Sequence, residues 1–437
     1  MWREKASSDS RILALALPSV VSNITVPLLN LVDMSLVGHM GDYWFVSAIS
    51  IGGTIFSMIY WVFAFLRMGT TGIISQAYGA QDEHAIGLGL CRSLLLSLLI
   101  GMTLLLLQQP ILKLALNFLQ TTEGYSLSYA ATYFKVCVWG APAMLSSYSL
   151  TGWYIGMHDT RTPMQMAILQ NVMNIVASVL AVYLLGWGIA GVAAGTVMGL
   201  YSGVLWGCLR LRGKVVWQGL PLESLFDGHQ MQRFFQVNRD IFLRTLCLVA
   251  VTVYFTRCGA RMGELTLSAN ALLMQFFMFY SYFMDGLANA AEALSGELAG
   301  ACQWKALHAM VKRLFLWGIL VALMFTLLYM GLGRNILDLL TDKEELVCYV
   351  RDNYLPWVCA VPLVAMAAFV WDGVFIGLTM TRGMLCSMFL AAVGFFLVLW
   401  FARPLWGNHG LWFAFLLYLA LRGGIQTAFF VMKKADV

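Results

Sequence analysis

Residues 152–156 read G-W-Y-I-G, and residues 373–377 read G-V-F-I-G, 221 positions later. Pro142 and Arg161 flank the first copy much as Pro362 and Arg382 flank the second. A similar shift aligns four more pairs of landmarks, which are Met40-Gly41 with Met262-Gly263, Ser47-Ala48 with Ser268-Ala269, Gly79-Ala80 with Gly300-Ala301, and Trp187-Gly188 with Trp406-Gly407. Because these matches keep their order along both halves of the chain, they indicate an internal duplication.

The composition predicts that the duplicated unit lies in a membrane. Of 437 residues, 60% are hydrophobic and only 11% are charged, whereas a soluble domain carries about a quarter charged residues. Lipid is the solvent that fits such a chain. The net charge is only +5 and its basic residues are scattered, so we expect no nucleic-acid partner.

A helix needs about 20 mostly apolar residues to cross the hydrocarbon core. Twelve segments satisfy this length, near residues 12–37, 45–70, 86–109, 129–156, 164–186, 189–211, 240–261, 266–294, 306–332, 351–378, 383–402 and 409–431. Helices are the expected spanning element because the open edge of a sheet cannot satisfy its hydrogen bonds in lipid.

The sequence therefore predicts an all-α integral membrane protein of twelve transmembrane helices. Each repeat holds six spans, so both enter the membrane in the same direction and form two parallel-repeat lobes around a central cleft. We place the N-lobe at residues 1–213, a cytoplasmic linker at 214–232 and the C-lobe at 233–437. Lys and Arg are about twice as frequent in the loops on the side of the two termini, which predicts that both termini are cytoplasmic.

Ionisable side chains within a span are functional candidates because they are costly to bury in lipid. The candidates are Asp33, Arg67, Arg244, Asp285, Glu292 and Asp372. Asp33 could exchange a proton or bind a cation, or it could make a structural hydrogen bond. Asp285 and Glu292 are seven residues apart and share one helix face. Arg67 could snorkel or neutralise an acid, and Asp372, which precedes Gly373, could cap a helix break.

Motifs for other functions are absent from the sequence. There is no G-x-x-x-x-G-K-[ST] phosphate loop for ATP, no H-E-x-x-H helix and no evident Ser/His/Asp set. His39, His158 and His229 lack the spacing of metal ligands. We predict no catalytic residues, no bound metal and no cofactor.

At this point the chain resembles, almost from end to end, the multidrug and toxic compound extrusion (MATE) transporters, in particular their DinF branch. The matching segments are S-N-I-T-V-P-L-L-N-L-V-D at 22–33, V-G-H at 37–39, L-R-M-G-T-T-G at 66–72, Q-A-Y-G-A at 76–80, N-R-D-I-F-L-R at 238–244, D-G at 285–286, A-E-A-L-S-G at 291–296 and W-D-G-V-F-I-G at 371–377.

The resemblance implies two six-helix lobes and export of amphipathic, often cationic compounds, driven by influx of H⁺ or Na⁺. It also implies a cation site in the N-lobe at Asp33, Asn174 and Thr196. The second acidic position of that site is Ser178 here, which favours proton coupling at Asp33 over a tight Na⁺ site. Arg67, Gln76, Arg244, Asp285, Glu292 and Asp372 match the DinF pattern and are candidates for the substrate cleft.

We therefore expect an antiporter of the bacterial inner membrane that exports amphipathic or cationic small molecules against H⁺, works as a monomer and contacts lipids. Na⁺-coupled export is an alternative, and so is a flippase for lipids or lipid-linked sugars, which would have a basic cavity. A channel or receptor fits the acids in both halves less well.

Overall fold

The computed structural model describes residues 8–38, 43–119, 125–215 and 222–434. Helices and short turns make up these ranges, and no strand occurs in them. The helices are α1 (Ser8–Gly38), α2 (Tyr43–Phe63), α3 (Phe65–Gly79), α4 (Glu83–Leu106), α5 (Gln108–Leu119), α6 (Tyr125–Cys137), α7 (Ala141–Gly156), α8 (Arg161–Val179), α9 (Ile189–Arg210), α10 (Gly228–Ala260), α11 (Glu264–Gly300), α12 (Trp304–Leu340), α13 (Glu344–Asn353), α14 (Leu355–Gly377) and α15 (Thr381–Lys434).

These helices account for all twelve predicted spans. Eight helical segments of the described chain are long and apolar enough to cross a membrane. The last of them contains a sharp bend at Gly407, which divides it into two crossings. The predicted spans 12–37, 129–156 and 266–294 coincide with α1, with α6 and α7 together, and with α11. The all-α, twelve-span prediction is confirmed.

Several spans are interrupted in ways that hydropathy does not reveal. A 3₁₀ turn at Val138–Gly140 joins α6 to α7, and a π-helical turn at Leu180–Leu184 extends α8. The predicted span 351–378 starts inside α13, which is a separate amphipathic helix. A proline in the first turn of α14 fits this division, because the first turn of a helix does not need the N–H group that proline lacks.

The internal repeat is visible in the backbone at the helix ends. After α3 and α11, Gln81 and Cys302 have φ angles of 57° and 56°, and after α7 and α14, His158 and Thr379 have 60° and 51°. The members of each pair are 221 positions apart. The hydrogen bonds also repeat. The residue that follows each of these four positions donates its backbone N–H to the carbonyl oxygen five positions earlier. This is the 6→1 bond of a Schellman helix end.

Gly188 and Gly407 mark a second repeated turn. Their φ and ψ angles are 56° and −134° at Gly188, and 56° and −124° at Gly407. Glycine reaches this conformation readily because it has no Cβ atom. Both residues precede the last crossing of their repeat, so the duplication is kept in backbone geometry as well as in sequence.

Equivalent glycines hold equivalent helix pairs together. A Cβ atom on Gly152 would lie 2.3 Å from the carbonyl oxygen of Arg67, and one on Gly373 would lie 2.5 Å from that of Ala288. The two partners are again 221 positions apart. The contacts bring α7 onto α3 and α14 onto α11, where small residues allow close approach of membrane helices.

The described residues form two compact units, which are treated separately below. The N-lobe unit is Val21–Phe234, and the C-lobe unit combines the described part of Met1–Val20 with that of Phe235–Val437. Helix α1 therefore contributes to both units. The division into residues 1–213, 214–232 and 233–437 stays a prediction.

The start of α1 is tied to the C-lobe unit by polar contacts. Asp9 accepts hydrogen bonds from Arg313 Nη1 at 2.7 Å and from Trp317 Nε1 at 3.1 Å. Arg11 makes an ion pair with Glu297. These contacts fix the first turns of α1.

Candidate functional site

The N-lobe site depends on a close approach of α8 and α9. Gly195 and Gly199 of α9 face α8, and a Cβ atom on Gly195 would lie 2.1 Å from Ser178 Oγ. A Cβ atom on Gly199 would lie 2.5 Å from the carbonyl oxygen of Gln170. Because both positions lack a side chain, Asn174 and Ser178 are pressed against the backbone of α9.

These side chains form a chain of hydrogen bonds that runs in one direction. Ser178 Oγ donates to Asn174 Oδ1 at 3.0 Å, and Asn174 Nδ2 donates to Thr196 Oγ1 at 3.3 Å. Thr196 Oγ1 donates to the carbonyl oxygen of Val192 at 3.2 Å. Asn174 and Ser178 are almost completely buried. The neutral groups of the site therefore satisfy one another.

Asp33 of α1 completes this site. Its carboxyl group lies beside the Asn174 amide, and Tyr133 and Cys137 of α6 are within electrostatic range of it. The Oδ1 atom of Asp33 is buried and has no hydrogen-bond partner in the described parts of the chain. The structure thus brings together the predicted set of Asp33, Asn174, Ser178 and Thr196.

This arrangement holds one acid among neutral hydrogen-bonding groups. An ionised carboxylate without a cation partner is costly in such surroundings, whereas a protonated carboxyl or a cation-bound carboxylate is not. The site can therefore take up and release one positive charge. Within the described ranges, no group of three or more His, Cys, Asp and Glu side chains is placed to hold a metal ion.

Arg67 and Gln76, which were predicted for the substrate cleft, lie on α3 outside this group. Arg67 is within electrostatic range of Tyr148 on α7. Gln76 Oε1 accepts a hydrogen bond from Arg233 Nη2 at 2.7 Å. Neither contact tests a role in substrate binding.

The C-lobe unit holds a second buried polar group, of different chemistry. Arg244 of α10 and Arg422 of α15 both bind Oδ2 of Asp372, which lies on α14. Gln426 Nε2 donates to the other oxygen, Oδ1, at 2.8 Å. Each of the four residues is at most 6% exposed. We call this set the arginine network.

The arginine network corrects one interpretation of Asp372. We considered that this residue could cap a helix break before Gly373. Instead α14 continues to Gly377, and the Asp372 side chain is bound by two arginines. Its position next to a glycine reflects the tight contact of Gly373 with α11 and not a helix end.

Arg422 and Gln426 were missed in the sequence. Arg422 lies within the predicted span 409–431. The rule that an ionisable side chain within a span is a functional candidate, which identified Arg244, applies equally to Arg422. Gln426 is uncharged and gives no comparable signal. It lies one helical turn after Arg422, which places both on one face of α15.

Asp285 and Glu292 occupy different surroundings, although they share a face of α11. Asp285 is half-buried, accepts a hydrogen bond from Ser281 Oγ at 3.4 Å and is within electrostatic range of Arg422. Glu292 is only 1% exposed, in the tightly packed region where α11 meets α14. Asp285 therefore lies near the arginine network, whereas Glu292 is two turns further along.

Comparison with known proteins assigns the fold to a family. The MatE family model matches residues 18–180 and again residues 241–405, so it finds both repeats. The DNA damage-inducible protein F of Escherichia coli K12 is 37% identical over 95% of this chain and 91% of its own length.

Solved structures agree with this fold. A MATE structure in the bent conformation has a TM-score of 0.87 at 18% identity and covers 99% of this chain and 96% of its own. A MOP superfamily transporter from Pyrococcus furiosus, described as having a binding pocket of reverse polarity, has a TM-score of 0.86 at 18% identity, covering 98% of this chain and 96% of its own. At these identities the structures support the fold alone.

The family and its structural neighbours are transporters and not enzymes. The helices, the two matches to the family model and the close relative agree with one another. This multi-pass membrane protein belongs to the MatE family of multidrug and toxic compound extrusion transporters.

Proposed function

We propose that this protein exports amphipathic or cationic organic compounds in exchange for protons, and that Asp33 is the group that carries the proton. The observation that carries the proposal is the closed hydrogen-bond chain from Ser178 to Val192. It leaves the carboxyl group of Asp33 as the one ionisable acid of the N-lobe site.

The site favours a proton over Na⁺ for a reason of coordination. Hard cations bind through several oxygen ligands. Here the Asn174 Oδ1 atom already accepts from Ser178, and Thr196 Oγ1 already accepts from Asn174. A cation would compete with these bonds for the same oxygen atoms, and only one carboxylate would compensate its charge. A proton needs only Asp33 Oδ1 or Oδ2.

In the proposed cycle the N-lobe alternates between two states of Asp33. The protonated state is neutral and compatible with the apolar helices around it. The ionised state has a charge in a site of low dielectric, and a cationic substrate or a rearrangement of α1 would compensate it. Exchange of the two cations across the membrane then needs no covalent chemistry.

We further propose that the protein resides in a bacterial inner membrane, works as a monomer and has both termini in the cytoplasm. The bias of Lys and Arg toward the loops of one side supports this orientation. The name of one relative, "Probable multidrug resistance protein NorM" of Thermotoga maritima, supports organic compounds as substrates.

The test is transport by purified protein in proteoliposomes loaded with a fluorescent organic cation. Release is followed under an imposed pH gradient and, separately, under an imposed Na⁺ gradient. We expect the pH gradient to drive release by the wild type and Asp33→Asn to abolish it. Asp342→Asn, which changes an exposed acid in the turn before α13, is the matched control and should transport like the wild type.

Three results would count against the proposal. Unchanged export by Asp33→Asn would remove Asp33 from coupling. Release driven only by Na⁺ would show that the site binds this cation despite Ser178. Absence of release under both gradients, together with translocation of a labelled lipid, would favour the flippase.

A further inference from the structure

An exposed arginine at the end of α9 is held in a fixed position. Arg210 Nη2 donates to Gln165 Oε1 of α8 at 3.1 Å, and the guanidinium carbon lies 5.3 Å from the centre of the Trp206 ring. Trp206 Nε1 donates to the same Gln165 oxygen at 3.3 Å. A guanidinium group within about 6 Å of an indole ring is attracted to its face. The charge of Arg210 is therefore positioned, although the residue is at the surface.

Neither of these contacts balances the charge of Arg210. Gln165 is neutral, as is the indole ring, and Arg210 forms no ion pair within the parts of the chain that the structure describes. The sequence between residues 150 and 215 contains a single acid, Asp159. That carboxylate is already bound by Lys214 Nζ at 2.5 Å. Arg210 is thus a positioned cation that needs an anion from outside the described protein.

Two further arginines lie at the same end of the α8–α9 pair. Arg161 begins α8 and precedes Gln165 by one helical turn, so the two side chains are neighbours on one face. Arg212 follows Arg210 directly after the end of α9. Both additional arginines are exposed, and the described residues supply neither with an ion pair. The net charge of this end of the helix pair is therefore positive.

Exposed aliphatic side chains continue from these arginines along the two predicted spans. They are Ile168, Val172 and Val176 on α8, and Leu205 and Leu209 on α9. Those on α8 follow Gln165 at spacings of three and four residues, so they extend its helix face as a row. Fixed positive charge above an aliphatic surface is complementary to an amphiphile with an anionic head and apolar chains.

We propose that this surface, formed by Arg161, Gln165, Trp206 and Arg210 with the aliphatic row below them, binds an anionic phospholipid. The lipid phosphate would lie on Arg210 and Arg161, and an acyl chain would lie along the row. Gln165 uses one of the five N–H donors of Arg210, which leaves the others for phosphate oxygens. The planar guanidinium group matches phosphate geometry. This inference does not depend on the proposed proton coupling.

The C-lobe sequence lacks the pair that positions this charge. At a shift of 221 positions, or 219 after the second repeated turn, Cys386 and Phe429 replace Gln165 and Arg210. Only the arginine at the start of the helix is kept, as the exposed Arg382. The lipid site is accordingly a property of the N-lobe, and Arg382 provides a matched control.

The test is a titration of the purified full-length protein in detergent with dioleoyl phosphatidylglycerol, followed by native mass spectrometry. Dioleoyl phosphatidylcholine, which has the same acyl chains and no net charge, and inorganic phosphate are the comparison ligands. The variants are Arg210→Gln, Gln165→Glu and the control Arg382→Gln. Each melting temperature is measured as well, and all three changes are at the surface or partly exposed, so the variants should fold.

We expect Arg210→Gln to weaken binding of phosphatidylglycerol about fivefold, because one basic residue near anionic lipid contributes about 1 kcal/mol. Gln165→Glu leaves Arg210 in place but gives it a carboxylate, so binding should weaken at least as much. Arg382→Gln should bind like the wild type. Phosphatidylcholine should bind more weakly than phosphatidylglycerol and equally to every variant.

Several results would overturn the lipid site. Equal losses in Arg210→Gln and Arg382→Gln would show a general attraction to positive charge. Wild-type binding by Gln165→Glu would mean that the charge of Arg210 is not used. Displacement of phosphatidylglycerol by inorganic phosphate at an equal concentration would show a site for the free anion. A loss of binding that accompanies a lower melting temperature would assign the effect to folding.

Discussion

The two lobes share one backbone plan but differ in where they hold polar groups. A shift of 221 positions, or 219 after the Gly188 turn, places Asp33, Asn174, Ser178 and Thr196 onto Tyr254, Phe395, Leu399 and Phe415. The last three are buried, and the ring of Phe415 lies 5.3 Å from that of Phe255. The C-lobe therefore fills with aromatic and aliphatic side chains the place where the N-lobe has its site.

At the arginine network the relation is reversed, because the C-lobe has polar side chains where the N-lobe has glycines. By the same register, Arg422 and Gln426 correspond to Gly203 and Gly207. A Cβ atom on Gly207 would already lie 2.9 Å from Met166 Sδ. Helices α8 and α9 are too close at this level to admit an arginine, so the N-lobe cannot contain a similar network.

The two polar centres also differ in depth along the first helix of their repeat. Arg244 corresponds to position 23, ten residues before Asp33, which is about 15 Å of helix. Duplication has thus kept the turns and the close helix contacts, while each copy has acquired polar groups at its own level. We infer that the N-lobe site is suited to gain and lose charge, whereas the arginine network holds two guanidinium groups on one shared carboxylate.

The largest effect should follow from breaking the arginine network. Asp372→Asn removes the carboxylate that Arg244 and Arg422 share, so two buried guanidinium groups lose the anion that both bind. Loss of one partner of a buried ion pair costs about 3–5 kcal/mol, so the melting temperature in detergent should fall steeply. Asp352→Asn removes one partner of an exposed ion pair with Arg351 and should leave the melting temperature unchanged. Equal stability of both variants would show that Asp372 is not needed to balance the arginines.

Introducing an acid at equivalent positions should show how far the lobes have diverged. Leu399→Asp places a polar group among aromatic side chains and should cost about 3 kcal/mol, from lost burial and an unsatisfied carboxyl group. Ser178→Asp has Asn174 as a neighbour and should fold. It restores a second acid to the N-lobe site, so export should become sensitive to Na⁺. Thermal unfolding and ion-gradient assays measure the two effects, and similar destabilisation of both variants would contradict the comparison.

Equivalent glycines should respond alike, because they belong to what the lobes share. Gly152→Ala and Gly373→Ala both direct a methyl group at a backbone carbonyl. We expect each to cost about 1–3 kcal/mol by overpacking, as measured by thermal unfolding. Gly424→Ala, where a Cβ atom would meet nothing within 4 Å, is the control and should be neutral or slightly stabilising. A loss in only one lobe would mean that the repeated contact is not equally tight.

The smallest effect concerns a loop that carries an ion pair in one lobe only. Asp159 binds Lys214 Nζ at 2.5 Å, and its counterpart by register is Met380. Desolvation raises the pKa of Asp159, but hydrogen bonds from Lys214 and Thr162 lower it by more, so the pKa lies below its ordinary value.

A depressed pKa stabilises the fold above the pKa of the unfolded state, and this stabilisation is lost below about pH 4. Because Lys214 is partly exposed, the pair should contribute less than about 1 kcal/mol. The difference in melting temperature between wild type and Asp159→Asn should shrink as the pH falls from neutral toward 3. A constant difference would show that the carboxylate charge is not responsible.

Hydropathy and repetition were sufficient to predict the fold. The twelve spans follow because an apolar run of sufficient length has few alternatives in lipid. The duplication follows because its glycines are fixed by turns and by close backbone contacts. The breaks inside spans, such as the one before α14, depend on local backbone geometry that a hydropathy window averages away.

The candidate sites were predictable only in part. Asp33 was predicted as an acid within a span, whereas Asn174, Ser178 and Thr196 came from resemblance to a family. The structure brings the four residues together. The pairing of Asp372 was not accessible, because its partners Arg244 and Arg422 are 128 and 50 positions away. A lone intramembrane charge and a paired one look identical in sequence, and this limited the interpretation of the C-lobe acids.

The repeated turn at Gly188 and Gly407 has a consequence for mutational tolerance. Every single-base change in a glycine codon that alters the amino acid introduces a Cβ atom, and no such residue adopts this backbone conformation readily. In a saturation library selected for export, these two codons should be nearly invariant, although a Cβ atom at position 407 would meet nothing within 4 Å. The intolerance of position 407 would reflect the path of the chain and not its surroundings.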